Sequence, residues 1–211
     1  MVEKAINCIL FDFDGVLIDS LPAMEIAWSS VQEKYNIRNN FLDYRKYIGL
    51  PFSEILIKLN IDKLLHKPIK EHYSKITSQN KKLIKLNPYV IYTLDWLKEN
   101  SIKTGIVTSK DKIRTEELIE YFQINIETIV TPELTRFGKP SPEPIKFAAN
   151  KLKVKLNQII YIGDMFSDME CALNSNCLYL HYMNGYQKLD YQIYGGQINS
   201  ILEIVEYMKN I

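Results

Sequence analysis

Beyond Asn87 the chain changes its rhythm, and that change constrains the fold more than any other feature of its 211 residues. Short apolar runs at 102–107, 128–130, 158–162 and 177–181 alternate with longer stretches of helical periodicity at 88–99, 111–122, 142–151, 167–173 and 198–209. Strands alternating with helices predict βαβ units, and therefore a parallel sheet with helices on its faces. One further run, Asn7 to Asp12, lies far upstream. It is apolar almost throughout, as a strand covered on both faces is.

The region between this strand and Asn87 reads as helical only. Met24, Ala27, Trp28, Val31 and Tyr35 recur at helical spacing, with Asp19 or Ser20 placed to cap and Pro22 near the first turn. Further helices are expected over 41–47, 53–59 and 68–85, with Gly49-Leu50-Pro51 as a break. An all-helical insertion, residues 20–86, is thus expected between the first strand and the remainder, with 1–19 and 87–211 forming the α/β unit.

In a parallel sheet, sites form beyond the carboxyl ends of the strands. Asp12-Phe13-Asp14-Gly15 follows the first strand, Thr108-Ser109-Lys110 follows the second run, and Gly163-Asp164 with Asp168 follows the run at 158–162. Lys139 sits on a loop between Gly138 and Pro140. Carboxylates two residues apart repel unless a cation lies between them, and a hard, oxygen-seeking ion such as Mg2+ resolves this. Gly15 lets the chain turn sharply where a side chain would obstruct. Together these groups suit phosphoryl transfer. A carboxylate can attack phosphorus, Lys139 and Thr108 can meet the charge on the transferring group, and backbone N–H groups around Ser109 and Lys110 can add to them. Mg2+, held by Asp164, would bridge nucleophile and phosphate.

Composition narrows the field by exclusion. A formal net charge of +1 offers no electrostatic case for nucleic acid or a membrane surface. No stretch approaches the roughly 20 apolar residues of a membrane helix, and the first apolar run ends in acids, unlike a signal peptide. Cys8, Cys171 and Cys177 have no metal-like spacing and read as buried thiols of a reducing compartment, so a cytoplasmic protein is expected. His66, His72 and His181 read as packing or surface residues, and Arg45 and Lys46 as a solvated face.

The segments Phe11-Asp12-Phe13-Asp14-Gly15-Val16-Leu17-Ile18-Asp19-Ser20, Ile106-Val107-Thr108-Ser109-Lys110, Lys139-Pro140-Ser141-Pro142-Glu143-Pro144 and Tyr161-Ile162-Gly163-Asp164-Met165-Phe166-Ser167-Asp168 resemble, in order and spacing, the motifs of the haloacid dehalogenase superfamily. The resemblance is to its phosphoglycolate phosphatase-like and β-phosphoglucomutase-like branch, and it covers essentially the whole chain. It implies a Rossmann-like core with a helical cap inserted after the first motif. It also implies a Mg2+-dependent phosphatase acting on a small phosphorylated metabolite through an aspartyl-phosphate. Asp12 would be the nucleophile and Asp14 the general acid and base, with a backbone carbonyl for the metal. Thr108, Ser109 and Lys139 would bind phosphate. Asp164 would ligate the metal, with Asp168 as a ligand or as the partner of one. Gly49 and Phe52 would belong to the cap's specificity loop. Many relatives carry an arginine there, whereas this chain has Phe52 and Ser53, and Met24 stands where β-phosphoglucomutases usually carry a histidine. A mutase or pyrophosphatase of the same family, and a non-catalytic phosphate-binding module, are the alternatives. Monomer and homodimer stay open.

Overall fold

The computed structural model describes residues 6–188 and 195–210. A parallel sheet organises them. Its strands are β1 (Cys8–Phe11), β4 (Lys103–Val107), β5 (Thr128–Val130), β6 (Ile159–Gly163), β7 (Leu178–Tyr182) and β8 (Gln197–Ile198), in the order β5-β4-β1-β6-β7-β8. Every pairing in it is parallel. Successive side chains of a strand face opposite sides, and β1 shows what that does. Ile9 and Phe11 enter one buried cluster with helices α5 (Val90–Glu99), α6 (Lys112–Tyr121) and α9 (Glu203–Lys209). Cys8 and Leu10 enter another with α7 (Glu143–Leu152) and α8 (Phe166–Ser175). The central strand is apolar on both sides because both sides are covered.

Helices α1 (Leu21–Tyr35), α2 (Phe41–Arg45), α3 (Phe52–Lys58) and α4 (Lys63–Gln79) bury a third cluster of their own around Trp28, Tyr44, Leu56 and Ile69. Met165 and Tyr186, from loops at the sheet's edge, join it. The junction between insertion and sheet carries strands as well. β2 (Ile18–Asp19) and β3 (Lys85–Leu86) pair as an antiparallel ribbon where the chain leaves the sheet and returns to it. Asn87 pins the ribbon, donating its amide to Val16 O at 2.8 Å and its main-chain N–H to Leu17 O at 2.9 Å. Two-residue strands carry no periodicity, so none was expected here.

Other boundaries also differ from expectation. α4 begins at Lys63 and holds Pro68 in its interior, because Asp62 caps it by accepting from Leu64 N at 2.9 Å. It ends at Gln79, short of Lys85. α5 starts at Val90, inside the expected 88–99, and buries Val90, Thr93, Leu94 and Leu97, which leaves Ile91 36% exposed. Ile198 lies in a strand opposite Tyr182, and the last helix starts only at Glu203.

Candidate active site

The register of the sheet decides what meets at its edge. Phe11 is level with Ile106 on one side and Ile162 on the other. Asp12 therefore leaves β1 between the ends of β4 and β6, where Thr108 and Asp164 emerge. Asp12, Asp164 and Asp168 each place a carboxylate oxygen within 4.8 Å of the others, and all three are buried. Gly15 holds φ at +87°, and any Cβ there would overlap the Asp164 carboxylate. Its missing side chain is thus a requirement of the site.

Lys139 is the cation of this cluster. It is 2% exposed, and its Nζ lies 2.9 Å from Asp12 Oδ1, 2.6 Å from Asp168 Oδ1 and 3.3 Å from the Tyr161 hydroxyl. Burial alone would push its ammonium down, but Asp12 and Asp168 hold it well above its ordinary value. Asp168 accepts from four donors. Lys139 and Tyr161 reach its Oδ1, and the main-chain N–H groups of Asp164 and Met165 reach its Oδ2. A carboxylate so filled positions a lysine and a loop.

Asp12 accepts from Phe13 N at 2.7 Å and from Lys139, both at Oδ1. Its Oδ2 has no hydrogen-bond partner among the described residues. Burial, then the neighbouring charges of Asp168 and Asp14, push its carboxyl up to about 7 against the pull of Lys139. Asp164 is pushed well above the carboxylate range by burial and by Asp12 and Asp168. Its Oδ2 accepts from Tyr186 N at 2.5 Å, and its buried Oδ1 has no partner among the described residues. Three crowded acids, one lysine and an orphaned carboxylate oxygen fit a divalent cation with a preference for oxygen ligands.

Asp14 stands apart from that cluster. Its Oδ1 accepts from the Ser20 hydroxyl and its Oδ2 lies 3.1 Å from Lys110 Nζ. Thr108 is nearly buried, and its Oγ1 accepts from Lys110 N at 3.1 Å. Ser109 turns away from the carboxylates, donating its hydroxyl to Gly49 O at 2.6 Å and so joining sheet edge to cap.

A cavity of about 140 Å³ opens over these groups. Asp12, Asp14, Thr108 and Lys110 form its floor, and Met24, Gly49, Phe52 and Tyr73 are among its walls. Tyr44, Phe52 and Tyr73 give the walls an aromatic patch. The Phe52 and Tyr73 rings lie 4.8 Å apart, and the Tyr44 hydroxyl donates to that of Tyr73 at 3.0 Å. Arg45 and Lys46 are exposed and outside the lining, while buried Trp28 stacks on Tyr44 from behind at 4.6 Å. Asp19 accepts from Leu21 N at 3.1 Å, and His181 lies between the Tyr179 hydroxyl and Gln187 O.

Several residues here escape sequence reasoning. Arg114, on α6, lines the cavity at 4% exposure and donates to Ser78 Oγ of α4 at 2.5 Å, binding core to cap. The Lys110 side chain, Tyr161, Ser20 and Tyr186 take their positions through contacts distant in sequence, and no local pattern marks them.

The model of the haloacid dehalogenase-like hydrolase family matches residues 9–181. A phosphoglycolate phosphatase of Nitrosococcus oceani is 28% identical, covering 99% of this chain and 97% of its own. A pyrophosphatase of Oceanobacillus iheyensis, PpaX, is 26% identical over 82% of this chain and 81% of its own. The crystal structure of a hydrolase from Pseudomonas syringae superposes with a TM-score of 0.86 at 22% identity, covering 97% of this chain and 99% of that one. With a family match spanning most of its length and the fold found on solved hydrolases, the chain belongs to the haloacid dehalogenase-like hydrolase family.

Proposed function

We propose that the protein is a Mg2+-dependent phosphatase that releases phosphate from a small phosphomonoester through an aspartyl-phosphate on Asp12. One observation carries this reading: Asp12, Lys139, Asp164 and Asp168 share a buried cluster, and Asp12 also opens onto the cavity. The names of the relatives, phosphoglycolate phosphatase and pyrophosphatase, support a small phosphorylated substrate.

Asp12 Oδ2 is the oxygen left to attack phosphorus, since Lys139 and Phe13 N hold Oδ1. As the P–O bond to the leaving group breaks, Asp14 gives a proton to the departing oxygen, and it later takes one from the attacking water. Thr108 keeps its hydroxyl proton for a phosphate oxygen, because its Oγ1 accepts from Lys110 N. Lys139 would exchange its longest contact, Tyr161 at 3.3 Å, for another phosphate oxygen. Asp12 and Asp164, with the main-chain carbonyl of Asp14, would hold Mg2+, and Asp168 orients Lys139 and the loop at 164–165. When bound, the ion supplies positive charge for the transferring group.

The segment 20–86 acts in this reading as a cap that swings on the β2–β3 ribbon, admits substrate and then excludes water. Its aromatic wall selects the leaving group. The test is phosphate release from an aryl phosphate with and without Mg2+, in wild type and in Asp12→Asn. Release that needs Mg2+ and drops about a thousand-fold or more in the variant is the expected result. Full Mg2+-dependent turnover by Asp12→Asn would remove the nucleophile from this account. A panel of phosphorylated metabolites then names the substrate.

A further inference from the structure

The Ser20 hydroxyl donates to Asp14 Oδ1, the carboxylate that serves as proton donor in the proposed reaction. Ser20 is 1% exposed, and a buried hydroxyl with one proton must find its own donor elsewhere. Tyr186, on the loop after β7, is the neighbour that fills this need. Its hydroxyl lies 3.1 Å from Ser20 Oγ and accepts from Ser20 N at 2.8 Å. Since the only proton of Ser20 Oγ points to Asp14, the phenol proton points to Ser20 Oγ. The direction of the whole chain is therefore set: Tyr186 to Ser20 to Asp14. The same residue's main-chain N–H holds Asp164 Oδ2 at 2.5 Å.

We propose that Tyr186 is a positioning residue, which through the Ser20 hydroxyl on Oδ1 fixes the Asp14 carboxyl so that Oδ2 carries the proton given to the leaving oxygen. Both hydrogen-bonding capacities of the phenol are directed at one residue, Ser20. Its ring packs against the helical cluster around Trp28 and Tyr44, so it has little freedom to move away. Without this brace Asp14 keeps Lys110 on Oδ2, but Ser20 Oγ is left free to turn. The inference rests on the phosphatase reading and on Asp14 as its proton donor.

Leaving-group dependence tests it. An alkoxide needs a proton as it departs, whereas a dinitrophenolate does not. The second-order constant kcat/KM reports the step in which that bond breaks, ahead of the aspartyl-phosphate hydrolysis common to all substrates. Tyr186→Phe keeps the ring and the N–H to Asp164, and Ser20→Ala keeps the Ser20 N–H bond to the phenol. Each is expected to lower kcat/KM for an alkyl phosphate about tenfold more than for 2,4-dinitrophenyl phosphate. The double variant should be no more selective than the stronger single one. A general loosening of the loop would lower both substrates by the same factor, and that result overturns the proposal. So does a selective loss in Tyr186→Phe that Ser20→Ala does not share. If Tyr186→Phe fails to fold, Ser20→Ala decides, since without a selective loss there the phenol has nothing to act through. If the wild type shows no Mg2+-dependent release from any phosphomonoester, the phosphatase reading falls, and this one with it. Hydrolysis by wild type with equal losses in the variants removes only the positioning role.

Discussion

The floor and the roof of the cavity are built from opposite materials. The floor is ionic: Asp12 and Asp14 follow the end of β1 and face the cavity beside Lys110, and behind Asp12 lie Lys139, Asp164 and Asp168, each at most 2% exposed. The roof is aromatic. Tyr44, Phe52 and Tyr73 meet it with rings and a hydroxyl pair, and Lys70 of α4 adds a cation to the lining. A buried charge without its partner costs several kcal/mol, so the floor tolerates almost no change. Aromatic surface adapts by small shifts at little cost, so the roof tolerates substitution better than the floor. If the proposed function holds, chemistry and choice of substrate are stored in separate parts of this chain, and each can be broken alone.

The floor should show the largest effects. Above about pH 7, where Asp12 is ionised, Lys139→Met leaves Asp12 and Asp168 buried with no cation, a loss of about 3–5 kcal/mol in stability. Turnover should fall with it, about a thousand-fold or more, since phosphate loses its fixed charge as well. Chemical denaturation and phosphate release measure the two effects. Retained stability would mean that the acids are neutral in the folded protein.

A second effect at the floor is a dependence on pH. Asp12 has its carboxyl at about 7 in the folded protein, against 3.8 for the free group. Between these values the native state holds a proton that the unfolded chain has released, so stability falls as pH rises through that window. The full shift corresponds to about 4 kcal/mol. Asp164 is shifted in the same direction. Thermal melts of metal-free protein from about pH 4 to 7 should show this decline, and Asp12→Asn should lessen it. Mg2+ favours the ionised acids, so adding it should restore stability most at the upper end. A melting temperature that climbs with pH in metal-free wild type would contradict the floor's charge pattern.

How much of this could be read beforehand follows from the same contrast. Asp12, Thr108 and Asp164 were legible because each follows an apolar run, and the parallel order brings neighbouring run-ends together. Lys139 was legible only in the company of those ends. The roof was half legible. Gly49 and Phe52 announce a loop, but the rings that face Phe52 come from Tyr44 and Tyr73, on helices whose periodicity says only that they are buried. The β2–β3 ribbon was illegible because two-residue strands have no pattern, and their pairing depends on a return of the chain about 67 residues later. Ser20 looked like a helix cap. Its side chain makes no capping bond and is turned to Asp14, an exchange that only the approach of Tyr186 completes. Arg114 was hidden for a similar reason, since its partner Ser78 lies on a different helix.

The smallest effect belongs to the roof, and it sharpens the contrast most. Phe52 begins α3, lines the cavity and packs on Tyr73 at 4.8 Å and on Tyr44 at 6.3 Å. Phe52→Ala removes a half-buried ring, which should cost about 1–2 kcal/mol, less than a fully buried phenylalanine does. The floor is untouched, so the transferring group meets the same charges. What is lost is contact with the leaving group, made alike in ground state and transition state. Such uniform binding appears in KM and leaves kcat standing. For the preferred metabolite, KM should therefore rise about tenfold, the scale of one hydrophobic contact. The ratio of kcat/KM between that metabolite and a plain aryl phosphate should fall by nearly the same factor. A collapse of kcat with KM unmoved would show that the ring shapes the reacting centre, and the division between floor and roof would then fail at its most exposed joint.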